Sequence, residues 1–309
     1  MRAAQARYRS IVADSARWEG FQFRGDDIVI STPPKCGTTW MQTICALLIF
    51  QNPDLDASID DLSPWLDMLT RDRDETVAQL DRQTHRRFIK SHTPLDGLPF
   101  DERVTYICVG RDPRDVALSW DNHMANMDFF ALLSARQQAV GLEDIADVLA
   151  QGPPQVPEGE IDRFWAWVEE DPSPLAGLTG LKGTLHHVDT FWQRREMPNV
   201  LLFHYSDLQA DLAGQMQRLA DGLGISVDLE GRPELVEAAT FDRMRTRADQ
   251  LAPEVSNNLW HDNGRFFHSG TSGQWRHLLD DEGMARYRAR AQAVAKPDLL
   301  EWAHHGPIQ

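Results

Sequence analysis

A chain of 309 residues buries a large core, and 42% hydrophobic with 25% charged residues is the composition of a soluble globular protein. Its formal net charge of −16 argues against a general binder of nucleic acid or anionic membrane, so any bound polyanion must meet a local cationic site. The longest apolar run, Ile44 to Phe50, is far too short to cross a bilayer, which predicts no integral membrane segment. The first residues, MRAAQARYRS, lack an apolar signal region, and Cys36, Cys45 and Cys108 lack metal-ligand spacing. Together they predict free thiols in a reducing, cytoplasmic setting. Lysine occurs only at 35, 90, 182 and 296, and two of these four fall in the most motif-like stretches.

In chain order, DDIVIST (26–32) reads as a buried strand. A helix follows, with Trp40, Met41, Ile44, Cys45, Leu47 and Leu48 on its apolar side, and QNP ends it. RRFIKSH (86–92), RVTYICVG (103–110) and NVLLFHY (199–205) read as three further strands. Strands separated by helical segments predict an α/β fold, with a mainly parallel sheet covered by helices on both faces. RDPRDVALSW (111–120) starts a helix, with Asp112 as N-cap, Pro113 at the first helical position and Asp115 complementing the dipole. From about 121 to 160 the pattern is less regular, and GPPQVPEG (152–159) reads as a loop. DRFWAWV and HHVDTFW read as aromatic-rich helical pieces.

The first three strands each run into a chemically capable group. The first leads to Lys35 and the turn Gly37-Thr38-Thr39, the second to Lys90 and His92, the third to Arg111 and the helix carrying Ser119. Ligands of open parallel sheets bind outside the carboxyl ends of the strands, so parallel strands would bring these groups to one rim. The first turn suits an anion: glycine permits close approach, helix N–H groups and hydroxyls donate, and Lys35 adds a full charge. It lacks the G-x-x-x-x-G-K-[ST] spacing of a nucleoside triphosphate site. A histidine near its ordinary pKa, such as His92, removes a proton from a hydroxyl at neutral pH. The adjacent pairs His186-His187 and His304-His305 point to different sides of a helix and read as surface or packing residues, with His187 a weak candidate for an acceptor pocket.

PPKCGTTW, FIKSHTPL, YICVGRDPRDVALSW, FHYSDLQADL and FFHSGTSGQWRHLL occur in this order between about residues 27 and 279. They resemble the consecutive signature blocks of the PAPS-dependent sulfotransferases, in the cytosolic, estrogen- and aryl-sulfotransferase-like branch. The resemblance implies one α/β domain over 1–309, related to the P-loop nucleoside kinases, and 3′-phosphoadenosine-5′-phosphosulfate (PAPS) as donor with PAP as product and no metal requirement. It makes Lys35 the lysine that stabilises the leaving phosphate, and Cys36, Gly37, Thr38 and Thr39 the loop around the phosphosulfate. His92 matches the general base, and Lys90 the neighbouring lysine on the sulfuryl group. Arg111 and Ser119 match the pair that recognises the 3′-phosphate, and Ser119 also the serine that restrains the catalytic lysine. Trp40, Tyr205, Thr240, Phe241 and Met244 match the adenine site.

The last block departs from the pattern. The family has Arg-Lys-Gly or Arg-Arg-Gly at the 3′-phosphate, and this chain has His268-Ser269-Gly270, with Arg265 three residues earlier. Cys36 stands where serine or alanine is common, and a thiol at a helix N-terminus is a candidate reactive group. Two other readings stay open at this level: a PAP- or nucleotide-binding protein without turnover, and a magnesium-dependent kinase of related fold. The acceptor is expected to be a small or lipid-like molecule with a hydroxyl, or an amine, held by variable loops within 60–85, 121–165 and 246–268, with LSPWLDM (62–68) at the pocket edge. The family's lysine-threonine-valine-glutamate dimer motif is not seen near the C-terminus, which leaves the oligomeric state open.

Overall fold

The computed structural model describes residues 1–150, 152, 156–171 and 178–306. Four strands form one parallel sheet: β1 (Ile28–Ser31), β2 (Phe88–Ser91), β3 (Thr105–Gly110) and β4 (Val200–His204), in spatial order β2-β1-β3-β4. Every residue of β1 and β2 is buried, as a sheet covered on both faces requires. Register aligns the strand ends: Ser31 pairs with Ser91, Ile30 with Ile107, and Gly110 with His204. The segments leaving β1, β2, β3 and β4 therefore emerge along one edge. The chain steps from β1 to β2 on one side and returns as β3 on the other, which opens a crevice between the β1 and β3 ends.

The main helices are α1 (Thr38–Phe50), α2 (Pro113–Asn126), α3 (Phe129–Val140), α4 (Glu160–Glu169), α5 (Gly180–Trp192), α6 (Leu212–Leu223), α7 (Phe241–Thr246), α8 (Asp281–Val294) and α9 (Pro297–His305). On one face of the sheet, Ile28, Ile30 and Val109 pack with α1 and α6. On the other, Val29, Tyr106 and Cys108 pack with Trp18, Phe21 and Phe191. A third cluster joins α2, α4, α5, α8 and α9. The aromatic-rich stretches 162–168 and 186–192 are α4 and α5.

Two expectations change. Helix α1 is not half-buried: Thr38, Thr39 and every residue from Met41 to Leu48 are buried, because it lies between the sheet and an outer layer of helices. The irregular pattern expected from 121 onward begins as two helices, and a short third follows at Ala146–Ala150. Helix α2 runs to Asn126, and Asp128 caps α3 by accepting from the N–H groups of Phe130 and Ala131 at 2.9 and 3.0 Å. The pattern hid α3 because Phe129 and Phe130 are exposed while Arg136 is buried, the reverse of an amphipathic stripe. Of the expected loop 152–159, residues 153–155 lie outside the described residues.

Candidate active site

The turn after β1 is built for an anion. Gly37 (φ +100°) and Lys35 (φ +67°) both adopt the left-handed region, which a side chain at position 35 tolerates only with strain. No side chain caps α1, and the N–H groups of its first turn have no intrahelical acceptors. A methyl group on Gly37 would lie 3.1 Å from the Tyr205 ring, so the backbone there is pressed against that aromatic. Thr38 and Thr39 are buried in the cavity wall, and the Thr38 hydroxyl is already bonded to the hydroxyl of Thr32.

Three cations converge on this turn. The guanidinium of Arg111, just past β3, donates to the Lys35 carbonyl at 3.0 Å, spanning the β1–β3 crevice, and lies 4.2 Å from the Tyr205 ring centroid. Its Nε is buried with no partner among the described residues. A buried charged donor left unsatisfied is costly, so the site is arranged to receive an acceptor there. The Lys35 amine is lowered to about 7, chiefly by burial, with the Arg111 and Lys90 charges adding to the effect. Lys90 lies 4.4 Å from the Trp65 ring centroid. Burial lowers its pKa too, while Asp60 and Glu254 oppose the shift. These two acids are bridged by Arg71, at 3.1 Å from Asp60 and 2.8 Å from Glu254.

His92 follows β2. Its Nδ1 lies 2.7 Å from the Thr32 carbonyl oxygen. A carbonyl only accepts, so Nδ1 carries the proton and Nε2 presents a lone pair. Burial first, then the Lys90 charge, hold the imidazole well below the usual histidine range. The result is a neutral, tautomer-fixed base beside two lysines.

A single cavity of about 540 Å³ takes in these groups. Its wall includes Lys35, Gly37, Thr38, Thr39, Trp40, Lys90, His92, Arg111, Ser119, Tyr205, Phe241, Met244, His268, Ser269 and Gly270. Trp40 meets Tyr205 edge-on at 5.2 Å and donates from Nε1 to the Ala239 carbonyl at 2.8 Å, which fixes the indole. The loop 270–273 is clasped to α2: both carboxylate oxygens of Asp115 accept from the Gly273 N–H at 2.9 Å, and Arg111 donates to the Thr271 carbonyl at 3.1 Å. Asp115 thus does more than complement the α2 dipole, while Asp112 is the N-cap expected of it. His268 is exposed at the cavity wall, and the Arg265 guanidinium beside it makes no ion pair among the described residues.

Two sequence-predicted site residues stay outside. The Cys36 side chain is fully buried among Val116, Ala117 and Leu118, its N–H bonds the Pro33 carbonyl at 3.3 Å, and burial pushes its thiol up to about 12. The reactive-thiol expectation is therefore corrected: the apolar core keeps this sulfur protonated. Thr240 turns its hydroxyl to the Glu237 carbonyl at 2.7 Å and is absent from the cavity wall. His187, the acceptor-pocket candidate, is also a packing residue. It is fully buried, stacked on Phe191, bonded to the Ser31 carbonyl at 3.3 Å and lowered to about 3 by burial.

Sequence reasoning missed two features. His123, one turn after Ser119 on α2, places Nδ1 3.3 Å from the Lys35 amine, whereas Ser119 makes no hydrogen bond to that amine among the described residues. The i, i+4 spacing from Ser119 was the available signal, hidden by the less regular pattern from about residue 121. The second feature is the N-terminal arm. Tyr8 and residues 10–13 line the cavity together with Trp65, Met68, Met127, Phe129, Leu132, Leu259 and Trp260, making that half strongly apolar.

A family model described as "Sulfotransferase domain" matches residues 25–298. The chain is 46% identical over 307 residues to a glycolipid sulfotransferase of Mycobacterium tuberculosis strain H37Ra, covering 97% of this chain and 94% of the relative. It is 26% identical to human sulfotransferase 1E1, covering 87% and 83%. Among solved structures, retinol dehydratase in complex with retinol and PAP superposes with a TM-score of 0.69 at 20% identity, over 92% of this chain and 85% of that one. Mouse sulfotransferase SULT7A1 complexed with PAP superposes with a TM-score of 0.66 at 19% identity, over 94% and 92%. With the match spanning the strand-end turns that build the cavity, this chain belongs to the sulfotransferase family.

Proposed function

We propose that this protein transfers the sulfuryl group of PAPS to a hydroxyl of a small or lipid-like acceptor. The observation that carries the reading is the meeting, in one cavity, of a neutral His92, three converging cations and a long apolar wall. The cations and the α1 N-terminus suit an anionic donor, and the apolar wall suits an acceptor with a hydrocarbon part. The glycolipid sulfotransferase relative supports a lipid-like acceptor.

In this mechanism Nε2 of His92 takes the proton of the acceptor hydroxyl. The oxygen attacks sulfur, a new S–O bond forms, and the bond from sulfur to the bridging phosphate oxygen breaks. Lys35 and the N–H groups of the first α1 turn stabilise the charge arriving on the departing 5′-phosphate, and Lys90 that on the sulfuryl oxygens. As in phosphoryl transfer, the protein contributes positioning and preorganised charge rather than covalent chemistry. Arg111, with its unpartnered Nε, and Arg265 are the groups for the 3′-phosphate, in place of the basic pair absent at 268–269. Trp40, Tyr205 and Phe241 form the aromatic surround for adenine.

Calorimetric titration with PAP, ADP and ATP, without added metal, tests the donor. Selective binding of PAP is expected, followed by label transfer from PAPS to lipid alcohols or glycolipids in an acceptor screen. Equal binding of ADP, or preference for ATP, would overturn the assignment.

A further inference from the structure

Lys35 is short of anionic company. Its amine is flanked by the charges of Arg111 and Lys90, and no carboxylate pairs with it among the described residues. Two contacts favour its charged form: the Nδ1 lone pair of His123 at 3.3 Å and the face of the Phe266 ring, 4.6 Å from the amine to the centroid. An ammonium only donates, so Nδ1 of His123 must accept, and its proton belongs on Nε2. The imidazole is walled by Trp120 at 5.4 Å, Trp260 at 4.8 Å and Phe266 at 6.2 Å between ring centroids. These rings belong to α2, to the stretch around residue 260 and to the short helix Asn263–Phe266, and Met127, at the end of α2, bridges to Trp260. The charges acting on the pair are those of Lys90, His92 and Arg111, and the same cavity wall also carries Tyr8, Asp115 on α2, Glu170, Tyr205, Glu254, Arg265 and His268.

We propose that His123 is the positioning residue of this active site: its Nδ1 holds the Lys35 ammonium in place and favours its charged form before the donor arrives. The inference rests on the sulfotransferase reading for its purpose, and on the Lys35–His123 geometry for its substance. Burial holds His123 well below the usual histidine range, with Lys35, His92 and Lys90 adding to the effect, so the acceptor lone pair stays available at neutral pH. Removing it leaves the ammonium with an aromatic face and cationic neighbours, and the proton departs at lower pH.

The composition supplies a direct readout, since the chain has four lysines, at 35, 90, 182 and 296. Protein labelled with ¹³C at lysine Cε gives four titration curves by NMR, and Lys35→Met assigns one of them. In His123→Leu, the Lys35 curve is expected to move down by about one pH unit, the scale of a lost hydrogen bond to a charged group. In His123→Asn, whose Oδ1 stands near the Nδ1 position, the curve is expected to return toward wild type. The other lysines report whether each variant is folded. Wild-type titration of Lys35 in both variants would overturn the proposal, as would equal displacement in both, which marks a merely structural role. These readings need neither donor nor turnover, so failure of PAP to bind would sink the sulfotransferase reading and leave the His123 result standing by itself. If PAP binds, its affinity in His123→Leu should decline from a pH about one unit lower than in wild type.

Discussion

The proton on His92 is placed by a backbone carbonyl, and the charge on Lys35 by its surroundings, so the reaction has a window bounded by two perturbed groups. In the proposed mechanism His92 acts as a base when neutral. Its lowered pKa means that activity is lost only as pH falls well below 6.5. Lys35 acts in that mechanism as an ammonium, so its contribution is present below its pKa and lost as pH rises through about 7 in the free protein. A bound phosphosulfate adds negative charge beside the amine and moves that limb upward. The expected outcome is a kcat/KM profile that declines above about pH 7 while kcat persists to higher pH, since the former reports free protein and the latter the complex. Coincident limbs would show that the donor does not sit on Lys35. His92→Ala is expected to lower kcat by about 10²- to 10⁴-fold, the usual worth of a general base, with PAP affinity unchanged by calorimetry. A parallel loss of affinity would make His92 part of the donor site instead.

At the scale of elements, the donor half depends on turns held against helices. Gly270 (φ +61°) presses on the Phe241 ring, where an added methyl would fall 2.5 Å from ring carbons, while Gln209 donates to its carbonyl. Gly270→Ala therefore meets left-handed strain of about 1–2 kcal/mol and displaces the aromatic assigned to adenine. About tenfold weaker PAP binding is expected, and an unchanged affinity would remove Phe241 from the adenine site. Such elements were unequally legible in the sequence. The β-branched runs around Val29, Ile89, Ile107 and Leu201 gave all four strands to within two residues, because a doubly covered sheet demands continuous apolar stretches. Lys35, His92 and Arg111 were legible because each follows such a run directly. His123 was not, because the polar stretch Asp121-Asn122-His123 conceals a helix whose continuation is set by packing against residues 260–266. The buried sulfur of Cys36 was invisible for a related reason: its neighbours in sequence are loop residues, and its neighbours in space belong to α2.

Across the whole molecule, the donor half comes from consecutive strand ends, but the apolar half comes from segments far apart in the chain: residues 8–13, 65–68, 124–132 and 259–260. Local pattern carries no sign of such an assembly, and the arm at 8–13 has only isolated bridges, Arg9 to Asp14 and Ala13 to Met68, rather than a helix or strand to betray it. Beside backbone bonds such as that from the Leu69 N–H to the Val12 carbonyl at 2.8 Å, the arm is held by Arg136 on α3, wholly buried, which donates to the Ile11 carbonyl at 2.9 Å, to the Gly141 carbonyl, and to Asp144 at 2.6 Å. Tyr8 adds a second tether through its hydroxyl, which lies 2.8 Å from both Asp96 and His186. Arg136→Met keeps the bulk and removes the bonds, leaving two carbonyls without their donor; Asp144 retains Arg9. A loss of about 1–2 kcal/mol in unfolding free energy is expected, because two half-buried carbonyls lose their donor. Hydrogen exchange at residues 8–13 should quicken beyond what that global loss explains. The functional signature is asymmetric: KM for a lipid-like acceptor rises, while PAP affinity stays at its wild-type value, because Arg136 holds the arm beside the apolar half of the cavity, where Val12 packs with Met68, Leu132 and Leu259. If PAP affinity falls in step with the acceptor, the two halves of the cavity are one cooperative unit, and the arm is part of the donor site's foundation.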